Sequence, residues 1–286
     1  MVKNNSLIKP YLKWAGGKRQ LLAEIKKHLP KDINSYKYYE PFLGAGAVFF
    51  ELQPNKAVIN DSNEQLILTY NAIKENVDDL ILILKKYQKK NSKDFYYEIR
   101  NMDRDPKIFA KLTSIEKAAR LIFINKTCFN GLYRVNSQGL FNVPYGKYKN
   151  PSICEETLLR QISNYLNISK INILNVDFEK AVSTAGKKSF IYFDPPYHSS
   201  DKTNFTGYQA NGFDENEQER LSNVILKLTN KGVKCLLSNS DTEYIRELYN
   251  NNLFDITPVQ AKRVINSNSA ERGFVNEVLI KNWKNK

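Results

Sequence analysis

An α/β fold, in which a Rossmann-like sheet is interrupted by a mostly helical insertion, is what this 286-residue sequence predicts. Three observations carry the prediction. Short apolar runs alternate with helical patterns toward both ends of the chain. Two of those runs stop at turns rich in glycine or proline. The stretch between them loses the alternation. Strands alternating with helices build a parallel sheet, and ligands gather at the carboxyl ends of its strands.

The elements follow in order. Residues 36–40 form a short aromatic strand that ends at Pro41, and residues 57–61 a second apolar run closed by Asp61. Helical periodicity then dominates over 66–87, 94–100 and 114–124. A polar, aromatic and glycine-bearing stretch, 125–150, comes next, and a loop of that length in a compact chain usually carries function. Strands resume at 171–176, 189–193 and 233–237, with helices over 217–229 and 242–249, and two last strands at 254–259 and 278–281. The expected division is 1–62 and 166–286 for the two parts of the sheet domain, and 63–165 for the insertion.

Composition narrows the class. With 42% hydrophobic and 12% aromatic residues the chain can bury a core and is not a disordered polyelectrolyte. A net charge of +13 points to a polyanionic partner, although a general surplus of lysine gives the same figure. Three cysteines without paired spacing and only two histidines predict neither a disulfide framework nor a metal centre. No apolar run approaches the ~20 residues of a membrane span, and the first residues lack an apolar signal core, so a cytoplasmic protein without membrane contact is expected.

The first chemical signal is Glu40-Pro41-Phe42-Leu43-Gly44-Ala45-Gly46, directly after a strand. Two glycines let the backbone turn tightly and approach a ligand, and Asp61 at the end of the next strand is placed to grip ribose hydroxyls. The pattern taken alone also fits a plain structural turn. The third glycine of a dinucleotide fingerprint is missing, with Phe49 in its place. That gap and the acidic Glu40 disfavour a pyrophosphate and suit a ligand bearing cations. S-adenosyl-L-methionine carries a sulfonium and an ammonium.

The second signal is Asp194-Pro195-Pro196-Tyr197, after the apolar run Ile191-Tyr192-Phe193. Two prolines fix two φ angles and remove two backbone donors, so the turn presents mainly acceptors. An exocyclic amine needs acceptors, because its lone pair is delocalised into the ring. Asp194 and the Pro195 carbonyl can take its two N–H groups and free the lone pair for a methyl group. Tyr197 can stack on a base that has left its helix. The plain alternative is a rigid strand exit with Tyr197 in packing. Methylation at cytosine C5 needs a cysteine nucleophile, usually after proline. Cys128, Cys154 and Cys235 follow Thr127, Ile153 and Lys234, and read as inert thiols.

Lys13-Trp14-Ala15-Gly16-Gly17-Lys18, then Glu40-Pro41-Phe42 with Gly44 and Gly46, then Asp194-Pro195-Pro196-Tyr197 occur in this order. Together they resemble the Dam-type (class alpha) adenine-N6 DNA methyltransferases, in which the target-recognition domain lies between the cofactor and catalytic motifs. The resemblance covers nearly the whole chain. It implies a methyltransferase sheet, S-adenosyl-L-methionine as cofactor and double-stranded DNA as partner, with no metal required. It implies further that Trp14 and Lys18 help close the cofactor pocket with Glu40, Pro41, Phe42, Gly44 and Gly46. Asp61 would bind the cofactor ribose, Asp177 and Phe178 would lie beside its adenine, and Asp194 would border the methyl group and the target amine.

Within 125–150, Phe129-Asn130-Gly131-Leu132-Tyr133-Arg134-Val135-Asn136 and Gly139 to Gly146 resemble the DNA-contacting hairpin of enzymes that recognise GATC. By that match Phe129 and Asn130 fill the space of the flipped adenine, and Leu132 and Pro144 touch base edges. Arg134 reads a guanine, Lys13 the outer base pair, and Asn136 belongs to the DNA-binding set. The residue types suit these roles, and they suit phosphate contact or loop packing as well. Lys126 stands where the family often has arginine. Tyr148, between Lys147 and Lys149, adjoins the hairpin and is a candidate backbone contact. The lysines at 85, 86, 89, 90 and 93 read as a solvated face. His198 reads as part of a mobile loop, and 199–212 as a segment that closes over the base.

The expected activity is therefore methyl transfer from S-adenosyl-L-methionine to adenine N6 in duplex DNA, within GATC, by base flipping and direct transfer. A restriction endonuclease acting on the same site is a candidate partner. The competing classes are an RNA methyltransferase acting on an exocyclic amine, a catalytically silent DNA-binding protein on this fold, and a nicotinamide oxidoreductase. The last leaves Asp194-Pro195-Pro196-Tyr197 without a role.

Overall fold

A computed structural model describes residues 8–14, 16–199, 213–262 and 274–284. Among these, seven strands form one sheet: β1 (Lys37–Glu40), β2 (Lys56–Asn60), β3 (Lys170–Leu174), β4 (Ser189–Phe193), β5 (Lys234–Ser240), β6 (Asp255–Lys262) and β7 (Phe274–Lys281). Their order is β3-β2-β1-β4-β5-β7-β6. The first five are mutually parallel, as expected. β7 departs from the parallel expectation and runs antiparallel between β5 and β6. The register explains it. Asp255 faces Lys281 and Lys262 faces Phe274, so β6 and β7 pair end to end. The residues between them, 263–273, are too few for the crossover that a parallel partner needs.

Side chains alternate between two cores across the sheet. Tyr38, Ile59, Phe190 and Tyr192 face one, while Tyr39, Val58, Ile191 and Phe193 face the other. β4 is buried along its whole length, which is why Ser189–Phe193 reads as a continuous apolar run. The second face is covered by α9 (Phe178–Ala181), α10 (Glu215–Asn230) and α11 (Glu243–Leu248), through Phe178, Leu221, Ile225 and Ile245.

The first face meets the residues between β2 and β3. These form α3 (Glu64–Glu75), α4 (Val77–Lys90), α5 (Lys93–Asn101), α6 (Pro106–Lys111), α7 (Ser114–Thr127) and α8 (Glu156–Ile168). The chain before them contributes α1 (Leu22–Lys27) and α2 (Ala47–Leu52). Leu66, Tyr96, Phe123 and Leu159 belong to the same apolar cluster as Tyr38 and Tyr192, so the helical block shares its core with the sheet.

Two helices differ from the sequence expectation. The helix read over 66–87 is broken at Asn76 (φ −135°, ψ 39°) into α3 and α4. Asparagine is a weak interior helix residue, and Asp78 and Asp79 in the next turn suit a new N-terminus. α8 was not expected, although Leu158, Leu159, Ile162, Tyr165 and Leu166 recur at helical spacing and are buried. No described helix is long and apolar enough to cross a membrane.

Candidate active site

β1 and β4 are parallel neighbours, with Tyr39 opposite Ile191, so Glu40 and Asp194 both lie at the carboxyl ends of adjacent strands. β2 flanks β1 and ends beside Asp61. Three sequence-predicted carboxylates therefore meet at one edge of the sheet, where open α/β folds bind ligands.

The glycine turn is built from that edge. Gly44 (φ 51°) and Gly46 (φ 70°) are left-handed, the region where glycine carries no steric cost. A Cβ on Gly44 would sit 3.1 Å from Trp14 Cδ1, so the Trp14 indole lies against the bare backbone of the turn. Asp61 holds the turn in place. One of its oxygens accepts the Gly44 N–H at 2.8 Å and the other the Asn63 N–H at 2.9 Å. A carboxylate has further lone pairs beyond those two. Burial raises the Asp61 pKa against these two backbone bonds. Phe49, where a third glycine would fall, is fully buried against Tyr38 and Tyr165. The helix after the turn is thus seated by aromatic packing.

Asn60 was missed in the sequence. Buried at the end of β2, its amide donates to Pro41 O and Val176 O and accepts from Val176 N, tying together the ends of three strands.

Asp194 is the centre of the second motif. Its Oδ1 lies 2.8 Å from Lys18 Nζ and accepts a 2.9 Å hydrogen bond from Ser238 Oγ on β5. Burial pushes its pKa up, and the Lys18 ammonium pulls it back. Lys18 also donates to Gly16 O and stands 4.5 Å from the centre of the Tyr197 ring. Glu40 is 2% exposed and accepts from Tyr38 OH at 2.5 Å. Burial drives its pKa well above the carboxylate range, with the neighbouring charges of Asp194 and Asp61 adding to the shift. Glu40 is buried and holds its proton, while Asp61 and Asp194 are half-buried; these acids against one lysine make the site acidic, which fits a cationic ligand and not a pyrophosphate.

The turn of Pro195, Pro196 and Tyr197 is anchored from α10 and β5. Gln218, fully buried, donates to Pro196 O at 2.9 Å and accepts from Asn239. Tyr197 OH donates to Glu277 Oε2 on β7 at 2.6 Å. His198, in the loop that follows the proline turn, is held on several sides. Its N–H is held by Asn239 and its carbonyl by Ser240, while its ring sits between Thr242 and Glu215 and stacks on Tyr244. Ser238, Asn239 and Glu277 were also missed. The signal was the polar run at the carboxyl end of an otherwise apolar strand. The segment 199–212, expected to close over the base, lies outside the described residues from 200 onward.

Asp177 and Phe178 flank the same edge. Asp177 caps α9 through the Glu179 N–H and receives both arms of Arg220, at 3.0 and 2.7 Å. The hydrogen bonds from Arg220 hold its pKa below the usual value. Phe178 packs on Phe42 and Phe213, with the Arg220 guanidinium 4.1 Å over its ring.

Residues 128–146 form the expected hairpin. Cys128 bridges Tyr145 and Val135 bridges Phe141. Phe129, Asn130, Arg134 and Pro144 are exposed, and Leu132 is half-buried. Arg134 is held by Asn142 Oδ1, 2.8 Å from its Nε. Asn136 turns its side chain onto the hairpin tip, accepting from the N–H groups of Gln138 and Leu140. One arm is fixed from α5 and the turn after it: Tyr96 OH donates to Val143 O, and Asp103 accepts the Phe141 N–H. Asp103 is itself paired with the buried Arg120 at 2.7 Å.

The N-terminal motif joins the hairpin to the site. Lys13 is exposed and stands over Tyr148, with 5.5 Å from Nζ to the ring centre. Trp14 stacks on Tyr133 at 4.6 Å while covering Gly44. Lys85 pairs with Glu156, so that lysine is not purely solvated. Burial raises the Cys128 thiol to about 12 and also raises Cys235 and Cys154, as suits inert thiols. No cluster of metal-binding side chains occurs among the described residues.

The chain is similar to known proteins over almost its whole length. Residues 14–265 match the D12 class N6 adenine-specific DNA methyltransferase family. The chain is 45% identical over 284 residues to the Type II methyltransferase M1.LlaDCHI of Lactococcus lactis subsp. cremoris, covering 99% of this chain and 98% of that protein. It is 42% identical to the Type II methyltransferase M.MjaIII of Methanocaldococcus jannaschii, over 96% and 99% of the two chains. It is 37% identical to a DNA adenine methylase of Haemophilus influenzae, over 95% and 92%.

Proposed function

The chain belongs to the D12 class N6 adenine-specific DNA methyltransferase family, and from that premise we propose that it methylates adenine N6 within GATC in duplex DNA, taking the methyl group from S-adenosyl-L-methionine. The convergence of Glu40, Asp61 and Asp194 on one sheet edge, with Lys18 bonded to Asp194, carries this proposal. When bound, the cofactor supplies an electrophilic methyl on a sulfonium.

The protein's part is to bind, orient and dry. Glu40 offsets cofactor cations, the Gly44–Gly46 turn lets the backbone approach, and Asp61 has acceptor capacity left for ribose hydroxyls. Phe42 and Phe178 offer aromatic faces to the cofactor adenine, with Pro41 and Trp14 completing the wall. Asp177, engaged by Arg220 and still exposed, lies beside the cofactor adenine together with Phe178.

At the target, Asp194 and the Pro195 carbonyl accept the two amine N–H groups and localise the nitrogen lone pair toward the methyl group. Tyr197 stacks on the flipped base, its ring fixed by Glu277 at one end and by Lys18 over its face. Residues 63–165 act as the target-recognition unit. Exposed Phe129 and Asn130 fill the vacated stack, while Arg134, Leu132, Pro144 and Lys13 read the base pairs. Asn136 shapes the hairpin tip, and Tyr148 with Lys147 and Lys149 lies along the backbone. A restriction endonuclease cutting the same sequence is the partner this activity suits.

A GATC duplex with 2-aminopurine in place of the target adenine tests the flipping step. Binding should raise its fluorescence several-fold, in wild type and in Asp194→Ala alike. No rise on saturating binding would exclude flipping.

A further inference from the structure

Asn125, at the end of α7, is fully buried and makes three hydrogen bonds with its side-chain amide. Its Oδ1 accepts the Lys13 N–H at 3.0 Å. Its Nδ2 donates to Lys13 O at 2.9 Å and to Gly131 O at 3.2 Å. One side chain thus satisfies both backbone groups of Lys13, as a neighbouring strand would, and spends its remaining N–H on the recognition hairpin. The chemistry fixes the amide's orientation. Flipped, it would set an oxygen against two carbonyls and a nitrogen against an N–H.

A second contact locks the same two segments. A Cβ on Gly131 (φ 65°) would lie 2.3 Å from Lys13 Cδ and 3.1 Å from its Cβ, so the lysine stem rests directly on the hairpin backbone. From there the N-terminal motif runs inward. Trp14 covers the Gly44 turn and Lys18 reaches Asp194 at 2.8 Å. Hairpin, cofactor turn and catalytic carboxylate are joined through one short segment whose outer end is pinned by Asn125.

We propose that Asn125 is a positioning residue that couples target readout to methyl transfer: it holds Lys13 in register with the hairpin, so that the outer base pair is read by a segment rigidly tied to Trp14 and Lys18. This rests on the proposed roles of Lys13 and the hairpin in reading DNA. A residue needed only for folding lowers activity equally on every substrate. A residue that sets the register of a reader changes the ratio between substrates.

The test measures kcat/KM for wild type and Asn125→Leu on a GATC duplex and on duplexes with the outer base pair or an inner one replaced. Leucine keeps the branched shape of the side chain and removes all three bonds. The expected result is a loss of discrimination of about tenfold at the outer pair, within what one base-edge contact contributes, with inner-pair discrimination kept within about twofold. In Lys13→Ala/Asn125→Leu the outer-pair loss should not exceed that of Lys13→Ala alone, since coupled residues are not additive. An equal fall on all duplexes, or fully additive losses, overturns the proposal. Should Asn125→Leu fail to fold, Gly131→Ala disturbs the Lys13 stem from the hairpin side and must show the same selective loss. Should wild type methylate a different sequence, the GATC assignment fails. The same ratios are then taken on that sequence, at the pair where Lys13→Ala acts, with the same criteria.

Discussion

Lys18 Nζ stands 2.8 Å from Asp194 Oδ1 and 4.5 Å from the centre of the Tyr197 ring. A single buried ammonium is therefore shared by the Asp194 carboxylate and the Tyr197 ring, the two groups proposed to meet the target amine and the target base. Its position depends on the N-terminal motif, and that motif is held by the recognition hairpin.

Removing the carboxylate should separate chemistry from binding. Asp194→Ala is expected to lower kcat by about 10²–10³-fold, the scale of one preorganised electrostatic contact. DNA affinity should stay within a few-fold. Single-turnover transfer and fluorescence anisotropy give the two numbers, and a parallel loss of both would remove Asp194 from the chemical step.

The pH dependence follows from the same pair. In the proposed reaction Asp194 accepts the amine N–H as a carboxylate; burial raises its pKa, and Lys18 opposes that rise. Lys18→Met takes the opposition away, so the acid limb of kcat should move to higher pH. The profile is measured at saturating cofactor, because Lys18 is also expected to help close the cofactor pocket. An unmoved limb would mean that another group controls it.

Glu40 gives a linkage prediction. Its folded-state pKa is raised, chiefly by burial, so the native state holds the proton over a range where the unfolded chain has released it. Stability then falls as pH rises from the ordinary carboxylate value through the folded one. Glu40→Gln should melt higher than wild type at pH 8 and lose that advantage near pH 4. Cofactor binding, which brings cations to Glu40, should release protons in wild type and fewer in Glu40→Gln. Calorimetry in buffers of different ionisation enthalpy reads this directly.

Gly44→Ala adds a Cβ at φ 51° and 3.1 Å from Trp14. A left-handed alanine costs about 1–2 kcal/mol, which should appear as a lower Tm, and the displacement of Trp14 and the turn should raise the KM for the methyl donor, with little change in DNA affinity at equilibrium. A larger effect on DNA than on the donor would relocate the turn's role.

Much of this was legible in the sequence, because both chemical motifs sit where apolar runs stop. The strand pattern identified Glu40, Asp61 and Asp194 as strand-end carboxylates, and β1, β2 and β4 place them together. What stayed hidden is the support around them. Asn60, Asn125, Gln218, Ser238 and Glu277 are ordinary polar residues whose roles arise from contacts distant in sequence, and no local period marks them. β7 escaped for a related reason. Strand direction depends on pairing, and an apolar run does not reveal its partner. His198 shows the same limit: next to a proline turn it reads as loop, and its contacts with Asn239, Ser240 and Thr242, distant in sequence, leave no local mark.

The most direct measurement is methyl transfer from labelled S-adenosyl-L-methionine into a duplex with a single GATC, beside a duplex of scrambled sequence, followed by nucleoside analysis. The account predicts N6-methyladenine in the first and background label in the second. Equal N6-methyladenine in both, or label appearing only in other sequences of genomic DNA, would contradict the GATC assignment. Label in a base other than adenine would contradict the chemistry assigned to Asp194 and Pro195.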